Sequence, residues 1–584
     1  MTDPMPWLRH YGDVPAQLDY PAATLFEALR TSALRSPQQV ALEFAGRGMR
    51  FASVLEQVER CAAGLAAIGL RAGERITIAM PTLPQGVIAF YAAIRLGAVP
   101  AMLHPLSTSA EIEFALNAAH SRYALTLDAF VPAFAAVRAR TPLEHLVVAS
   151  IGDVLAPWQR LAVWWSRGRR LPRLPDEAWL HRWHELMAGA LPAAAAAAQL
   201  ASPASADDVA VILYSGGTTG RPKGILLSHR NVLACSMQVI AWGRIGAGDA
   251  VLAILPLFHG FGLAVCVNAA LLAGGRCILV PQFTARDVAR IVRQRQPNLL
   301  VGVPTLFESL TREPDFLRAD LSGLRGAFSG ADTLPRPVKE RFESVVRERG
   351  GAVRLLEGYG LTEAVSACMA MPLHEYREGS VGVPFPDMRA KICAPGSTDE
   401  VADGVEGEIC IAGPSVMLGY MDAPEETAAT LRRHADGRTR LHTGDLGRRD
   451  ADGFFYFSCR LKRMIKSSGF NVYPAQVEAV LYRHPAVLEA CVVGVPDAAQ
   501  VERVIAFVAA CPGSRRGGAR GRADRLVPAG THQVVLPARD RVPRRALLPR
   551  VGKIDFAALR AAAVEQRAAA QRAAAGGPNA GEAA

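Results

Sequence analysis

The sequence lacks the marks of a disulfide framework, a structural zinc site or a secreted protein. Its 584 residues contain ten cysteines, with no C-x-x-C pair and no local run of cysteine and histidine. The N-terminal segment, MTDPMPWLRHYGD, lacks the basic and then apolar pattern of a signal peptide. These absences are typical of proteins of the reducing cytoplasm, and we expect that location.

Long apolar runs and nucleic-acid signatures are also scarce. No run reaches the roughly 20 residues that a membrane-spanning helix needs, and residues 261–275 come nearest. The net charge is +11, but residues 513–550 hold ten Arg and two Asp and therefore contribute +8 of it. Because no basic face interleaved with aromatic residues appears elsewhere, we expect no nucleic-acid partner.

The densest chemical signal is the stretch Tyr214–Gly224, which has the sequence YSGGTTGRPKG. An apolar run before it predicts a buried strand, and the segment after residues 228–231 predicts a helix with a polar start. Glycines let backbone N–H groups approach an anion, and a nearby lysine adds charge. We therefore predict a phosphate-binding loop between a strand and a helix; the alternative is a flexible turn. Its predicted ligands are Ser215, Gly216, Gly217, Thr218, Thr219, Gly220 and Lys223.

This stretch resembles the signature of the adenylate-forming superfamily, which includes acyl-CoA synthetases, aryl-CoA ligases, luciferases and adenylation domains of peptide synthetases. Four further motifs follow in that family's order: EGYGLTE at 357–363, HTGDL at 442–446, RLKRMIKSSG at 460–469 and GKID at 552–555. Independently, helix-like and strand-like segments alternate over residues 20–130, which predicts a parallel sheet with helices on both faces.

The resemblance implies an α/β fold with two domains. A large N-terminal domain of mixed parallel sheets and flanking helices is expected at 1–459, and it includes an insertion and an alanine-rich connector at 151–200. A small, mobile α+β domain is expected at 460–560. An alanine-rich tail at 561–584 completes the chain.

The resemblance also implies roles for individual residues. The nucleotide is expected at Gly330, Ala331, Glu357, Gly358, Tyr359, Gly360, Asp445 and Arg460. In that scheme Tyr359 stacks on adenine, Asp445 binds the ribose and Thr362 meets the α-phosphate. The residues with expected parts in the chemistry and the domain movement are His259 beside the reacting carboxylate, the catalytic Lys466 and Lys553, the hinge Lys462, and Gly469 at the CoA tunnel.

Glu363 is expected to face phosphates, which requires a cation between the negative groups. Mg²⁺ prefers few carboxylates together with phosphate oxygens. We therefore predict a Mg²⁺ site at Glu363 and the Thr218 hydroxyl, in a protein that also binds ATP and CoA. The alternative is that Glu363 is an acid that stabilises the start of a helix.

Residues 151–187 interrupt the α/β pattern and hold five of the seven tryptophans. Val154, Trp158, Leu161 and Trp165 recur at helical spacing, and several arginines lie among and after them. An apolar stripe with tryptophan and basic neighbours is typical of a helix on a membrane surface, so 153–185 is a candidate for peripheral membrane contact. The alternative is that the stripe packs on the protein itself.

After Cys511 the resemblance stops at a segment rich in Arg, Gly and Pro. Codons permitted for residues 531–546, read one base later, give a sequence similar to the family's missing strand, and 519–530 similarly permit an amphipathic helix. We hypothesise that two compensating frame errors bracket residues 515–547. The alternative is an Arg-rich disordered insertion, and a gene sequence without an insertion or deletion at either edge would remove the hypothesis.

The implied activity is that of an AMP-forming acid–thiol ligase. A carboxylic acid reacts with ATP to give acyl-AMP and pyrophosphate, and the acyl group then passes to CoA. No acidic residue is placed to hold an α-amino group, and the pattern is most similar to bacterial long-chain fatty acyl-CoA ligases, so a medium- or long-chain fatty acid is expected. Alternatives are an aryl-CoA ligase, a fatty acyl-AMP ligase, or an impaired acyl or nucleotide binder if the C-terminal lesion is real. The sequence predicts no oligomeric state.

Overall fold

The computed structural model describes residues 5–166, 176–189, 204–215, 222–467, 470–472, 474–482, 487–497, 501–510, 559–565 and 567. The chain forms two compact units. Unit 1 comprises Met1–Lys391, Cys410–Thr443 and Arg449–Phe455; unit 2 comprises Ile392–Ile409, Gly444–Arg448 and Tyr456–Ala584. The chain therefore passes between the units several times, whereas the sequence predicted one boundary at residue 459. That single boundary stays a prediction.

The described residues form short strands alternating with helices. The strands are β1 (Val40–Phe44), β2 (Arg47–Arg50), β3 (Arg75–Ala79), β4 (Val99–Met102), β5 (Tyr123–Leu127), β6 (His145–Ala149), β7 (Leu180–Arg182), β8 (Val209–Ser215), β9 (Lys223–Ser228), β10 (Ala250–Ala253), β11 (Arg276–Leu279), β12 (Leu299–Gly302), β13 (Gly326–Ser329), β14 (Leu355–Gly360), β15 (Ala367–Ala370), β16 (Val383–Pro384), β17 (Arg389–Cys393), β18 (Gly407–Ala412), β19 (Gly419–Tyr420), β20 (Leu431–Arg433), β21 (Thr439–Arg449), β22 (Phe455–Arg460), β23 (Ile465–Ser467), β24 (Phe470–Val472), β25 (Val487–Asp497) and β26 (Val501–Ala510). The α-helices are α1 (Leu25–Arg35), α2 (Phe51–Ala67), α3 (Pro84–Arg95), α4 (Ser109–Ala118), α5 (Val131–Ala135), α6 (Pro157–Ser166), α7 (Trp183–Ala188), α8 (His229–Gly243), α9 (Ala269–Leu272), α10 (Ala285–Arg295), α11 (Pro304–Leu310), α12 (Arg336–Glu348), α13 (Pro424–Thr430) and α14 (Pro474–Tyr482).

The first sheet of unit 1 has eight strands in the order β19-β9-β8-β4-β3-β5-β6-β7. Strands β3 to β8 are parallel where they pair, and β9 adds an antiparallel pair beside β8. Helix α1 begins after Thr24 because Thr24 and Glu27 form a reciprocal capping box at its start. All twelve residues of α3 are buried. The parallel α/β architecture predicted from residues 20–130 is confirmed.

The second sheet of unit 1 has nine strands in the order β16-β15-β14-β13-β12-β10-β11-β1-β2. Its central strands are parallel from β11 to β14, and β15 then pairs antiparallel with β14. A cluster of buried aromatic rings, Phe307, Phe316 and Phe342, fills the layer of helices beside these strands. The parallel strands end at one edge, where open α/β sheets bind ligands.

Unit 2 contains an antiparallel sheet with the strand order β24-β23-β26-β25. Helix α14 covers one face through Val477 and Leu481, and the other face carries Leu559 and Ala563 from the helical residues 559–565. This is the small α+β architecture that the resemblance implied. Lys553 and the segment 515–547 lie outside the described residues, so the frame-error hypothesis stays a prediction.

The insertion at 151–187 divides its tryptophans between two environments. Trp179 and Trp183 are buried, which fits the packing alternative. On α6, in contrast, Trp158, Leu161 and Trp165 are 71, 61 and 66 % exposed. Among the residues that the structure describes, none of the helices is long and apolar enough to cross a membrane.

Candidate active site

The glycine-rich segment joins two antiparallel strands. Ser215 at the end of β8 pairs with Lys223 at the start of β9. Helix α8 begins only at His229, where Ser228 caps it by accepting the Asn231 N–H at 3.1 Å. The predicted strand and helix are present, but the loop does not lead directly into the helix, because Lys223–Ser228, with four of six residues buried, form a further strand in front of it. The predicted phosphate ligands outside the described residues are Gly216, Gly217, Thr218, Thr219 and Gly220.

Lys223 and Glu363 meet through a tyrosine that the sequence analysis did not select. The Lys223 ammonium lies 4.9 Å from the centre of the Tyr420 ring, and the Tyr420 hydroxyl donates to Glu363 Oε1 at 3.1 Å. Lys223 also forms an ion pair with Glu426, whose side chain is 52 % exposed. Exposed pairs are weak, so a more highly charged anion can replace Glu426. The signal for Tyr420 was its place in the segment MLGY at 417–420, which resembles a family segment.

A tight turn follows the predicted α-phosphate residue. Thr362 opens a short 3₁₀ helix, and Val365 then takes φ 64° and ψ −59°. The Ser366 N–H donates to the Ala364 carbonyl at 2.7 Å, which closes a γ-turn. Positive φ is strained for a β-branched residue, and such strain concentrates at functional sites. The turn sets the direction in which Thr362 and Glu363 leave the end of β14.

The His259 segment is packed against this turn. A Cβ on Gly260 would lie 1.7 Å from the Val365 carbonyl oxygen, so only glycine fits between His259 and the turn. His259 Nδ1 accepts the Phe261 N–H at 3.1 Å, which assigns the proton of the neutral ring to Nε2. A π-helix begins at Phe261, a form frequent at functional sites. His259 is thereby fixed beside the predicted phosphate residues.

The predicted adenine segment lies at the ends of neighbouring parallel strands. Ser329 at the end of β13 pairs with Glu357 of β14, and the next residue, Gly330, donates its N–H to the Gly302 carbonyl at 3.0 Å. Ala331 has a positive φ of 69°. The Phe261 ring lies 3.3 Å from the Cβ position of Gly330, so the His259 segment also contacts this edge.

Strand β14 contains Gly358, Tyr359 and Gly360, the three residues that are predicted to contact adenine. Gly358 faces the Met369 carbonyl at an ordinary contact distance of 3.5 Å from its Cβ position. A Cβ on Gly360 would lie 1.8 Å from the Ser366 carbonyl oxygen, so that position requires glycine. Tyr359 between them is only 8 % exposed. Its stacking on adenine stays a prediction.

Glu357 is a partly buried residue of β14. The Tyr376 hydroxyl donates to its Oε1 at 2.9 Å, and its Oε2 is buried without a hydrogen-bond partner. Burial raises the pKa of Glu357 to about 7, although the Tyr376 hydrogen bond and nearby Lys339 act in the opposite direction. A proton on Oε2 removes the cost of an ionised oxygen without a partner. The carboxyl group of Glu357 is therefore partly protonated at pH 7.

The predicted ribose residues come together within unit 2. Asp445 is 3 % exposed, and its Oδ1 lies 3.4 Å from Arg460 Nε. The preceding Gly444 has φ 70° and donates its N–H to Glu408 Oε1 at 2.9 Å. Burial raises the pKa of the neighbouring Cys459 thiol to about 12, so that sulfur is an inert neutral group.

The predicted hinge and CoA residues are only partly described. Lys462 lies in a short 3₁₀ helix, Leu461–Arg463. Lys466 is exposed on β23, and its backbone N–H donates to Glu502 Oε2 at 3.0 Å. Gly469 and Lys553 lie outside the described residues. The roles of these four residues stay predictions.

A buried histidine pair with a cysteine is a further polar cluster of unit 1. His434 Nε2 lies 3.1 Å from His442 Nε2, and Cys410 Sγ lies 3.5 Å from His442 Nδ1. Burial is the main cause that lowers the pKa of His434 to about 4, and nearby Lys391 and Arg440 lower it further.

Comparison with known proteins adds a family match over most of the chain. The model of the AMP-binding enzyme family matches residues 29–421, and that of the AMP-binding enzyme C-terminal domain matches 476–527. The second match extends into the segment suspected of a frame error.

The matches to individual relatives extend over most of this chain and most of each relative. A long-chain-fatty-acid–CoA ligase of Bacillus subtilis is 35% identical over 525 residues, which are 88% of this chain and 90% of the relative. A feruloyl-CoA synthase of Amycolatopsis is 34% identical over 487 residues, or 83% and 88% of the two chains. The crystal structure of ATP-bound MatB from Rhodopseudomonas palustris is 26% identical, with a TM-score of 0.75, over 93% of this chain and 99% of that one.

Proposed function

The chain belongs to the AMP-binding enzyme family, and from that membership we propose that it joins a hydrophobic carboxylic acid to CoA at the expense of ATP. The observation that carries the proposal is the set of contacts in unit 1 that links Lys223, Tyr420 and Glu363 at the ends of the two sheets. A cation and a carboxylate beside a glycine- and threonine-rich sequence can bind a triphosphate and its counter-ion.

The first half-reaction forms an acyl adenylate. A carboxylate oxygen of the acid attacks the α-phosphorus of ATP, and the bond to the β-phosphate oxygen breaks to release pyrophosphate. In the proposal, Lys223 leaves the exposed Glu426 and binds the β- and γ-phosphates, and Thr362 donates to the α-phosphate. His259, with its proton on Nε2, lines the acid side of the site.

Mg²⁺ fits the donor set at Glu363. One carboxylate oxygen already accepts the Tyr420 hydroxyl, and a half-buried carboxylate beside a predicted triphosphate needs a cation for charge balance. Glu363 would hold the ion, with the Thr218 hydroxyl as its proposed second protein ligand. When bound, Mg²⁺ neutralises charge on the phosphate oxygens.

The second half-reaction transfers the acyl group to sulfur. The CoA thiolate attacks the acyl carbon, the bond to the phosphate oxygen breaks, and AMP leaves. We assign Lys553 to adenylation, Lys462 to a domain rotation, and Lys466 with Gly469 to the thioester step. Gating of two reactions by one domain movement is a known device in enzymes.

A pair of assays on a Lys553→Ala variant tests this division of roles. The variant is expected to lose pyrophosphate release from ATP and acid, and to retain thioester formation from acyl-AMP supplied with CoA. Equal loss of both steps would contradict the separate roles. Absence of ATP-dependent pyrophosphate release in the wild-type protein would favour the alternative of an impaired nucleotide binder.

The acid is proposed to be aliphatic and of medium or long chain. The support is the name of the Bacillus subtilis relative, and the Amycolatopsis relative keeps an aryl acid as the second candidate. A panel of fatty, feruloyl-type and benzoyl-type acids, assayed separately for pyrophosphate and thioester, decides between them. A higher kcat/KM for the aryl acids would overturn the aliphatic assignment, and pyrophosphate without thioester would indicate an acyl-AMP ligase.

A further inference from the structure

Tyr420 contacts both the Lys223 cation and the Glu363 carboxylate, two groups with different predicted partners on ATP. Its ring centre lies 4.9 Å from Lys223 Nζ, and its hydroxyl donates to Glu363 Oε1 at 3.1 Å. We propose that Tyr420 is a positioning residue that keeps these two charges apart, so that Lys223 binds phosphate oxygens and Glu363 holds Mg²⁺. The inference rests on the proposed function and adds a residue to its adenylation step.

A direct ion pair between Lys223 and Glu363 would defeat both predicted roles. The ammonium would compete with Mg²⁺ for the carboxylate oxygens, and the phosphates would have to separate the pair before they bind. Among the described residues of unit 1, the ion pair of Lys223 is with the exposed Glu426, whereas Glu363 accepts a neutral hydroxyl. An exposed pair is weak, so phosphate can replace Glu426. The tyrosine therefore gives each charged group a neutral partner inside the site.

The hydroxyl of Tyr420 orients Glu363. Burial of the phenol, and then the negative charge of Glu363, raises the pKa of Tyr420, so the hydroxyl stays protonated and donates. A donor at Oε1 restricts rotation of the carboxylate and leaves Oε2 as the oxygen for a cation. The Met417 N–H also donates to the Glu363 carbonyl at 2.8 Å. The segment 417–420 thus holds both the backbone and the side chain of Glu363.

The ring of Tyr420 acts on the cation. The distance of 4.9 Å between Lys223 Nζ and the ring centre is within the roughly 6 Å range of a cation–π contact. The ring carries no net charge, so this contact persists when a phosphate replaces Glu426. The two parts of one side chain therefore predict two separable effects, one on Lys223 and one on Glu363.

The backbone of Tyr420 is held independently of its side chain. Tyr420 pairs with Ile225 of β9, and its N–H donates to Thr427 Oγ1 at 2.9 Å. The next residue, Met421, donates its N–H to the Gly224 carbonyl at 2.8 Å. A change of the Tyr420 side chain keeps these backbone bonds, so an effect on ATP binding can be separated from an effect on the fold.

Binding of ATP in the absence of an acid tests the proposal, because no adenylate can then form. Isothermal titration calorimetry gives Kd for ATP with Mg²⁺ and without it. Tyr420→Phe keeps the ring and loses the hydroxyl, so we expect about tenfold weaker binding with Mg²⁺ and less than about twofold change without it. Tyr420→Leu also loses the ring and is expected to weaken binding about fivefold without Mg²⁺ as well.

A double-variant cycle separates an action through Lys223 from a general structural effect. Without Mg²⁺, Tyr420→Leu is expected to change Kd by less than about twofold in the Lys223→Ala background, because the cation that the ring holds is gone. Unfolding temperatures measured without nucleotide check that each variant is folded, and Tyr420→Phe alone carries the test if Tyr420→Leu does not fold.

A matched control removes a tyrosine hydroxyl from another carboxylate of unit 1. The Tyr20 hydroxyl donates to Asp387 Oδ2 at 2.8 Å, and neither residue is among the predicted site residues. Tyr20→Phe is therefore expected to bind ATP like the wild type, both with and without Mg²⁺.

Two results would overturn the proposal. The first is an equal Kd of the wild type and Tyr420→Phe with Mg²⁺. The second is an equal loss of affinity from Tyr420→Leu in the wild-type and Lys223→Ala backgrounds. Acid-dependent pyrophosphate release by the wild-type protein would leave the proposed function standing in either case. Conversely, a wild-type protein that shows the expected Tyr420 dependence of ATP binding but releases no pyrophosphate with any acid would overturn the ligase function and support the role of Tyr420.

Discussion

Glu357 and Glu363 are two carboxylates of one short motif, and unit 1 gives them opposite environments. Glu357 is enclosed within β14, and burial raises its pKa to about 7. Glu363 lies beyond the end of the same strand, where it accepts the Tyr420 hydroxyl next to Lys223. Glu357 therefore exchanges its proton near pH 7. Glu363 lies close to the Lys223 cation at the edge of the sheet.

The difference comes from the backbone between the two residues. Glu357 pairs with Ser329 inside the sheet, and its Oε2 atom is buried. After Gly360 the chain turns sharply at Val365, and Glu363 emerges beside β9 and β19. The two glutamates therefore differ because Glu357 lies within β14, whereas Glu363 lies three residues beyond its end.

The largest expected effect separates the two carboxylates by activity. Glu363→Ala is expected to lower kcat for pyrophosphate release by about 100- to 1000-fold, because charge stabilisation at the phosphates is lost. Glu357→Gln keeps the shape of the side chain and its hydrogen bond to Tyr376, so a change of less than about tenfold is expected. Steady-state kinetics with saturating ATP measure both. Equal losses in the two variants would break the comparison.

A second effect concerns the cation beside Glu363. Lys223→Ala is expected to raise KM for ATP by about ten- to a hundredfold, since a charged hydrogen bond contributes about 1.5–3 kcal/mol. The matched variant Glu426→Ala removes the competing partner in the ion pair. It is expected to leave KM for ATP unchanged or slightly lower, because exposed pairs contribute little. A rise in KM with Glu426→Ala would show that Lys223 acts through that pair.

A third test acts on the turn that positions Glu363. Gly260→Ala is expected to destabilise the protein by about 1–3 kcal/mol, because its Cβ would overlap the Val365 carbonyl oxygen. Gly323→Ala is the control, since nothing lies within 4 Å of its Cβ position. Urea unfolding measures both. If the two variants have the same midpoint, the packing of the His259 segment on the turn is not as described.

The smallest effect is a pH dependence that belongs to Glu357. Its folded-state pKa of about 7 lies above the ordinary 4.5, so the folded state binds this proton more tightly than the unfolded state. This group therefore lowers stability as pH rises from about 4.5 through about 7, by at most about 3 kcal/mol. Glu357→Gln is expected to gain stability over the wild type across that range.

The neighbouring tyrosine gives the control for that titration. The Tyr376 hydrogen bond lowers the pKa of Glu357, so Tyr376→Phe is expected to move the wild-type transition to higher pH. Thermal unfolding of the three proteins between pH 4 and pH 8 measures the shift. A transition that moves to lower pH in Tyr376→Phe would contradict the assigned cause.

The fold was largely predictable because its signals are local. Helices and parallel strands alternate over residues 20–130 as apolar periodicity predicted, and the family motifs predicted the architecture. The α6 stripe shows the limit of periodicity, which predicted a helix but not which surface covers it. Trp183 of the same insertion is buried, whereas Trp158 is exposed, and the sequence pattern did not distinguish them.

The missed features depend on contacts between distant segments. The strand β9 was overlooked because Lys223 suggested a loop, and only pairing with β8 makes its residues a strand. Tyr420 reaches Glu363 because β19 pairs with β9, a contact across about 195 residues of sequence between Ile225 and Tyr420. The enclosure of Glu357 by Tyr376 and Lys339 likewise requires the folded chain.

The most direct test of the central claim is acid-dependent exchange of labelled pyrophosphate into ATP without CoA. Adenylation at the Lys223–Tyr420–Glu363 site predicts exchange with a hydrophobic acid in the wild-type protein and its loss in Glu363→Ala. Exchange that does not require the acid, or that persists in Glu363→Ala at the wild-type rate, would contradict it.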